Sequence, residues 1–308
     1  MKYEEFSISQ FFNSFKTEAE AIELVWRYKS EDQGHTCPKC HRKKYYQHIE
    51  RPEIRECQHC GHQHRLRVGT IFEDSKLSML TWIRAIYLMM TSKRGISALE
   101  LQRQLKIGSY QTALLLLRKV RVALMERDSK YKLEGIIELD GAKFGRRATN
   151  NQESVLIAVE SKKWIDEKGH EKKKAGFAKV FFGKETKDSL QNFVDQDIRM
   201  QTEVHSDAAR PYLDGLKNVD VKSVGMYNDP ERLEKWLPWV FRFTCNAKAW
   251  LVGTHHGVNS KYFKLYLAEY IYRFNRRHDV KKYFSRALFS CVQPLMIVND
   301  PPPLQMAA

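Results

Sequence analysis

The sequence predicts an α/β protein whose largest domain is a mixed five-stranded sheet with helices, preceded by two smaller modules. Three observations predict it. From residue 133 onward, short β-branched apolar runs alternate with helical patterns. Two of those runs, Ile136–Lys143 and Thr202–Asp207, carry an aspartate at or near their ends, Asp140 and Asp207. Upstream of them lie two Cys-x-x-Cys pairs and then a stretch with helical periodicity.

Residues 1–30 read as a helical lead-in, in which Phe11, Phe12, Phe15, Ala19, Ala21, Ile22 and Val25 offer an apolar face at helical spacing. Residues 31–72 read as a zinc ribbon. Cys37-Pro-Lys-Cys40 and Cys57-Gln-His-Cys60 are separated by sixteen residues, and each pair turns two thiolates toward one centre, which suits tetrahedral zinc. A disulfide framework is the rival reading. The first twenty residues hold Glu4, Glu5, Glu18 and Glu20 and do not resemble a signal peptide, and cytosolic thiols stay reduced, so metal is favoured. Between the pairs, Lys43, Lys44, Tyr45, Tyr46, Arg51 and Arg55 give short strands a basic, aromatic face suited to DNA backbone contact. A last strand from His64 to Thr70, ended by Gly69, closes the ribbon.

Residues 73–130 form a helical region with a helix-turn-helix candidate. One helix runs from roughly Leu80 to Thr91, and a second opens at Gly95 and Ser97 and runs through Leu105. Gly108-Ser109 makes a turn, and a third helix continues to about Arg127. In the DNA-binding form of this motif the amino end of the last helix meets the major groove, which here presents Ser109, Tyr110, Gln111 and Thr112, with Arg118 further along.

Residues 131–295 form the larger domain, and 296–308 a tail. Strands are expected at Ile136–Lys143, Ser154–Glu160, Gly176–Gly183, Thr202–Asp207 and Val219–Val224, with Ser161–Ala175 as a lysine-rich hairpin loop. Helices are expected at Thr186–Asp197, at Ala208–Leu216 and from about Glu231. Three strands in hairpin succession followed by alternating helix and strand is the layout of an RNase H-like fold. In that fold the first and fourth strand ends lie side by side. Asp140 and Asp207 would then form a paired carboxylate site for magnesium or manganese, hard cations that take oxygen ligands and leave positions open for phosphate.

Charge indicates the partner. The net charge of +15 favours a polyanion. No apolar run reaches the ~18 to 20 residues of a membrane span, so a cytoplasmic protein without a membrane partner is expected.

The order of ribbon, helix-turn-helix and RNase H-like core resembles the zinc-ribbon insertion-sequence transposases of the DDE class with an ISXO-like transposase domain. Besides the four cysteines, the matching residues are Arg67-Val68-Gly69-Thr70-Ile71-Phe72, Glu138-Leu139-Asp140 with Phe144-Gly145, and Ser206-Asp207 with Tyr212. Later come Leu237-Pro238-Trp239-Val240, Asn246-Ala247-Lys248, Gly253-Thr254-His255-His256-Gly257-Val258, and Tyr266 to Tyr270 with Arg273-Phe274-Asn275-Arg276-Arg277.

The resemblance implies magnesium- or manganese-dependent cleavage and joining of DNA ends by Asp140 and Asp207, with Lys248 contacting phosphate. It implies DNA as partner, both terminal inverted repeats and target, a homo-oligomer on that DNA, and a bacterial cytoplasmic protein at the nucleoid when bound. The family's third acidic residue lies seven positions before the basic residue, which here is Phe241. A phenyl ring cannot hold magnesium, so Asn246 or Glu234 substitutes or the site is incomplete; Glu269 of a later helix pairs instead with Arg273. An active transposase, a catalytically degenerate or domesticated DNA-binding relative, and an RNase H-like nuclease without strand transfer all fit.

Overall fold

The computed structural model describes residues 5–30, 36–145, 152–165, 169–209, 211, 216–225 and 235–294. The chain forms two compact units, one from residues 1–127 with 276–308 and one from 128–275.

In the first unit, α1 (Ile8–Ser14) and α2 (Glu18–Lys29) each begin with a capping box, Ser7 with Gln10 and Thr17 with Glu20. The reciprocal bonds satisfy helix-end N–H groups that would otherwise lack partners. The ribbon is an antiparallel sheet of β1 (Tyr45–Gln47), β2 (Ile54–Cys57) and β3 (Gln63–Arg65), in that order. β3 stops at Arg65, where the sequence predicted a strand to Thr70. The difference follows from Arg67, whose guanidinium grips Glu53 at 2.6 and 2.7 Å and the carbonyls of Ser75 and Leu77 at 2.9 Å. That fork turns the chain out of the sheet and fixes the ribbon to the following segment.

Three further helices follow, α3 (Met79–Thr91), α4 (Ala98–Leu105) and α5 (Tyr110–Ser129). Near α3, Phe11 stacks on Tyr87 with ring centres 3.9 Å apart. Phe284 meets both rings edge-on, at 4.9 and 5.6 Å. Phe284 belongs to the last described helix, Tyr283–Val292, so the chain returns to its first unit after residue 275. The sequence placed this helix in the core domain that runs to 295; its apolar residues are instead buried in the first unit.

The second unit holds a sheet of β4 (Ile136–Phe144), β5 (Glu153–Ile165), β6 (Glu171–Phe182), β7 (Thr202–Asp207) and β8 (Val219–Val224) in the order β6-β5-β4-β7-β8. β4, β5 and β6 pair antiparallel, and β7 and β8 join parallel to β4. Helices α6 (Lys187–Asp197), α7 (Pro238–His255) and α8 (Ser260–Arg276) cover the sheet. The expected helix Ala208–Leu216, Tyr212 with it, lies mostly outside the described residues.

Alternation along the strands explains the layers. Val155, Ile157 and Val159 pack in one apolar cluster with Val240, Phe243 and Ala247 of α7 and Phe263, Leu267 and Ile271 of α8. Leu156 and Ala158 pack in the other with Ile137, Leu139 and Leu190, Phe193 and Val194 of α6. A sheet buried on both faces requires this period of two. The order, pairing and covering helices are those of an RNase H-like core. β5 and β6 run on as paired strands through most of Ser161–Ala175, where the sequence predicted a loop.

Candidate functional site

β4 and β7 run parallel with Ile136 opposite Glu203, Ile137 opposite Val204 and Glu138 opposite His205. Two residues further along each strand stand Asp140 and Asp207, so the register sets the two carboxylates side by side. β4 runs past Asp140, close to the expected end at Lys143, because its antiparallel pairing with β5 continues through Gly141 to Phe144. Asp140 stands just beyond the last β4–β7 pair, where the two strands part.

A third carboxylate joins the pair. Asp140, Glu185 and Asp207 each offer an oxygen, and all three lie within 4.8 Å of one another. Glu185 sits in the turn between β6 and α6, just before the N-cap Thr186. Sequence reasoning missed it, since Glu185 looks like any acidic residue ahead of a helix; its approach to Asp140 depends on the fold. Burial, then Asp207, then Glu185 push the Asp140 pKa up to about 7, against a bond from the Gly141 N–H at 2.8 Å. Asp207 accepts from the Ala209 N–H at 3.1 Å. An all-oxygen donor set of this spacing fits a hard divalent cation with metal–oxygen distances of ~2.0–2.6 Å. A second feature fits too. A Cβ placed on Gly141 would lie 2.7 Å from a Glu185 carboxylate oxygen, so the glycine leaves a cradle that the carboxylate fills.

Glu138, also on β4, is buried, and its carboxylate accepts from the backbone N–H of Trp239 at 2.6 Å and of Val240 at 3.1 Å. It thereby holds the start of α7 to the strand that carries Asp140. Pro238 is the first residue of α7, so the helix does not continue back to Glu234, which lies outside the described residues. On α7, Phe241 is 43 % exposed, and Asn246 and Lys248 are exposed. The Lys248 ammonium stands 5.5 Å over the Phe144 ring at the end of β4. Glu269 is fully buried, with Arg273 at 3.2 Å one turn on, as the sequence suggested.

In the ribbon, Cys37 and Cys60 sulfurs are 3.6 Å apart and Cys40 and Cys57 3.5 Å, and the four form one cluster. Tetrahedral zinc with Zn–S bonds of ~2.3 Å needs sulfur separations of ~3.8 Å. The two knuckles repeat one backbone plan. His41 N–H and Gly61 N–H return to the carbonyls of Cys37 and Cys57, while Cys37 and Cys57 donate to Arg42 and His62. His41 and Gly61 take left-handed φ values of 57° and 66°. The backbone N–H groups of Cys60 and His59 lower the Cys57 thiol, while the neighbouring cysteines raise that of Cys40. Arg55 does not join an outer basic face. It is buried, with its guanidinium 4.4 Å from the Trp26 ring and 4.6 Å from the Tyr45 ring and a bond to Glu23 at 3.1 Å.

Of the residues expected to meet DNA, Tyr110 and Gln111 are exposed at the start of α5. Ser109 caps that helix, accepting from the Thr112 N–H at 3.1 Å with the two hydroxyls 2.9 Å apart. Arg118 is half-buried. Among the described residues, no helix is long and apolar enough to cross a membrane.

A parallel strand pair with adjacent carboxylates inside this sheet order defines a domain of the RNase H-like class. Residues 132–275 match the family described as the ISXO2-like transposase domain. This domain is an insertion-sequence transposase domain of the DDE class, and that family implies DNA as partner. No curated protein matches the chain.

Proposed function

We propose that the protein binds the terminal inverted repeats of an insertion sequence and cleaves and joins DNA strands with magnesium or manganese held between Asp140 and Asp207. The observation that carries this reading is the β4–β7 register, which places both carboxylates where two parallel strands part. The bound metal would activate the attacking oxygen and stabilise the leaving oxygen of the scissile phosphodiester. The chain's own part is to hold the cation through Asp140 and Asp207 and to place Lys248 of α7, whose ammonium lies over the end of β4, near the DNA phosphate. Zinc in the cysteine cluster holds the ribbon. Tyr110 and Gln111 are available for base contacts, and Ser109 and Thr112 orient the helix start. The protein acts on DNA in the bacterial cytoplasm as a homo-oligomer.

The β5–β6 hairpin supports a polyanionic partner. Lys162 stands opposite Lys174, Lys163 opposite Lys173, and Trp164 opposite Lys172. The Lys162 ammonium pairs with Glu160 at 3.0 Å, and the hairpin as a whole still gathers a run of lysines that suits phosphates. Phe241, exposed at the family's third acidic position, favours a second reading in which cleavage is weakened while DNA binding remains.

Labelled inverted-repeat DNA tests the proposal. Asp140→Asn and Asp207→Asn keep side-chain volume, and each should abolish magnesium-dependent cleavage while leaving DNA binding within about twofold. A natural protein that binds but never cleaves would establish the second reading. Cleavage without joined product would make it a nuclease, and cleavage surviving in either variant would remove the Asp pair from the chemistry.

A further inference from the structure

We infer that Glu185 is a metal-holding residue of this chain, supplied from the turn before α6, and that the missing side chain at Gly141 is what admits it. The inference rests on the reading of Asp140 and Asp207 as the metal-holding pair. It departs from the arrangement that the family resemblance implies, where the third acid comes from the helix that here carries Phe241.

Three observations bear on it. The Glu185 carboxylate shares one cluster with those of Asp140 and Asp207. Gly141 lies on the side of β4 that faces α6, since Ile137 and Leu139 at the same alternation pack with Leu190 and Phe193 of that helix. Glu185 leads into α6 and reaches Asp140 from that side. The third observation is the fit. A Cβ on Gly141 would meet Oε2, Cδ and Oε1 of Glu185 at 2.7, 2.8 and 3.0 Å. Those distances are below any ordinary contact, so any side chain at 141 would displace the carboxylate.

Charge accounts for why the arrangement needs a cation. Three carboxylates this close repel one another, and a divalent ion between them removes the repulsion. Phe241 offers no oxygen. Glu185 thus supplies the third carboxylate to a site in which α7 supplies none at the family position.

Gly141 allows a clean test. Its φ is not positive, so alanine is tolerated by the backbone, and the three atoms nearest to the added Cβ are the far end of the flexible Glu185 side chain. Manganese binding is measured on the full chain by electron paramagnetic resonance of free Mn2+, without DNA. Four variants are compared: Asp140→Asn, Glu185→Gln, Gly141→Ala and the double variant Gly141→Ala/Glu185→Gln. Circular dichroism melts check that each is folded.

Glu185→Gln is expected to raise the Mn2+ Kd at least about tenfold, and Gly141→Ala to raise it similarly. The double variant should bind no more weakly than Glu185→Gln alone, because both changes remove one contact. Asp140→Asn failing to weaken binding would overturn the site itself. Asp140→Asn weakening binding with Glu185→Gln within twofold of the natural protein would leave the site standing and overturn this inference. Fully additive effects in the double variant would overturn the role given to Gly141.

Discussion

Glu138→Ala should loosen the start of α7. Leu237 offers no side-chain cap there and Pro238 has no N–H, so the first free donors are those of Trp239 and Val240. Both go to the Glu138 carboxylate, at 2.6 and 3.1 Å. Alanine orphans two donors in a buried place, at ~1–3 kcal/mol each. Part of that is offset, because burial opposes the carboxylate's charge and pushes the Glu138 pKa up to about 7. The net loss is on the order of 2 kcal/mol, which is about thirtyfold in a local opening equilibrium. Hydrogen–deuterium exchange on the full chain reads it directly at Trp239 and Val240. Glu138→Gln keeps an acceptor and should change exchange by much less.

The pH dependence has a definite sign. A carboxyl whose folded pKa lies above its ordinary 4.5 binds a proton more readily in the folded state. It therefore lowers stability as pH rises from about 4.5 to about 7. Asp140, also raised to about 7, acts in the same sense in metal-free protein. Glu138→Gln should flatten this slope without abolishing it. Exchange at Trp239 and Val240 that moves less than twofold in Glu138→Ala would refute the anchoring role.

Two further predictions concern the ribbon and the hairpin. Purified protein should carry about one zinc per chain, and a chelator should open residues 36–66 to protease while the second unit resists, because the four thiolates hold that segment; an unchanged digestion pattern would count against it. Changing Lys163, Lys173 and Lys174 to Gln should lower the slope of log affinity against log salt by about 3 on duplex DNA, and a slope that stays the same would remove the hairpin from the DNA contact.

Much of the catalytic sheet was legible in the sequence. β7 and β8 fall where the β-branched alternation put them, and Thr186 caps α6 as its position ahead of the helical pattern suggests. That the Asp140 and Asp207 strand ends lie side by side followed from the RNase H-like layout of the elements, and the two strands pair in parallel. The β5–β6 extension was not legible, because a lysine-rich segment carries no apolar alternation, and cross-strand pairing at Lys162–Lys174 appears only when both strands are placed. Arg55 misled for a related reason. Its charge reads as surface in one dimension, yet two rings and a carboxylate enclose it. The contact with Glu23 spans 32 residues of chain and cannot be read from local pattern.

The site shows the same limit in a sharper form. Asp140 and Asp207 are visible because each ends or nearly ends an apolar run, and strands that pair in parallel carry such residues to the same edge. Phe241 is visible as a departure only against the spacing that the family resemblance implies, an acid seven residues before the basic residue on one helix face. Glu185 obeys neither rule. Its position depends on a turn, and its access to Asp140 on an atom that Gly141 lacks. A glycine inside a strand weakens the strand and often marks a close approach from outside. Gly141 fits that description, and the group that approaches is a carboxylate. In this chain the Asp140, Glu185 and Asp207 carboxylates are brought together from β4, the turn before α6 and β7, and the glycine at 141 leaves the room that Glu185 takes.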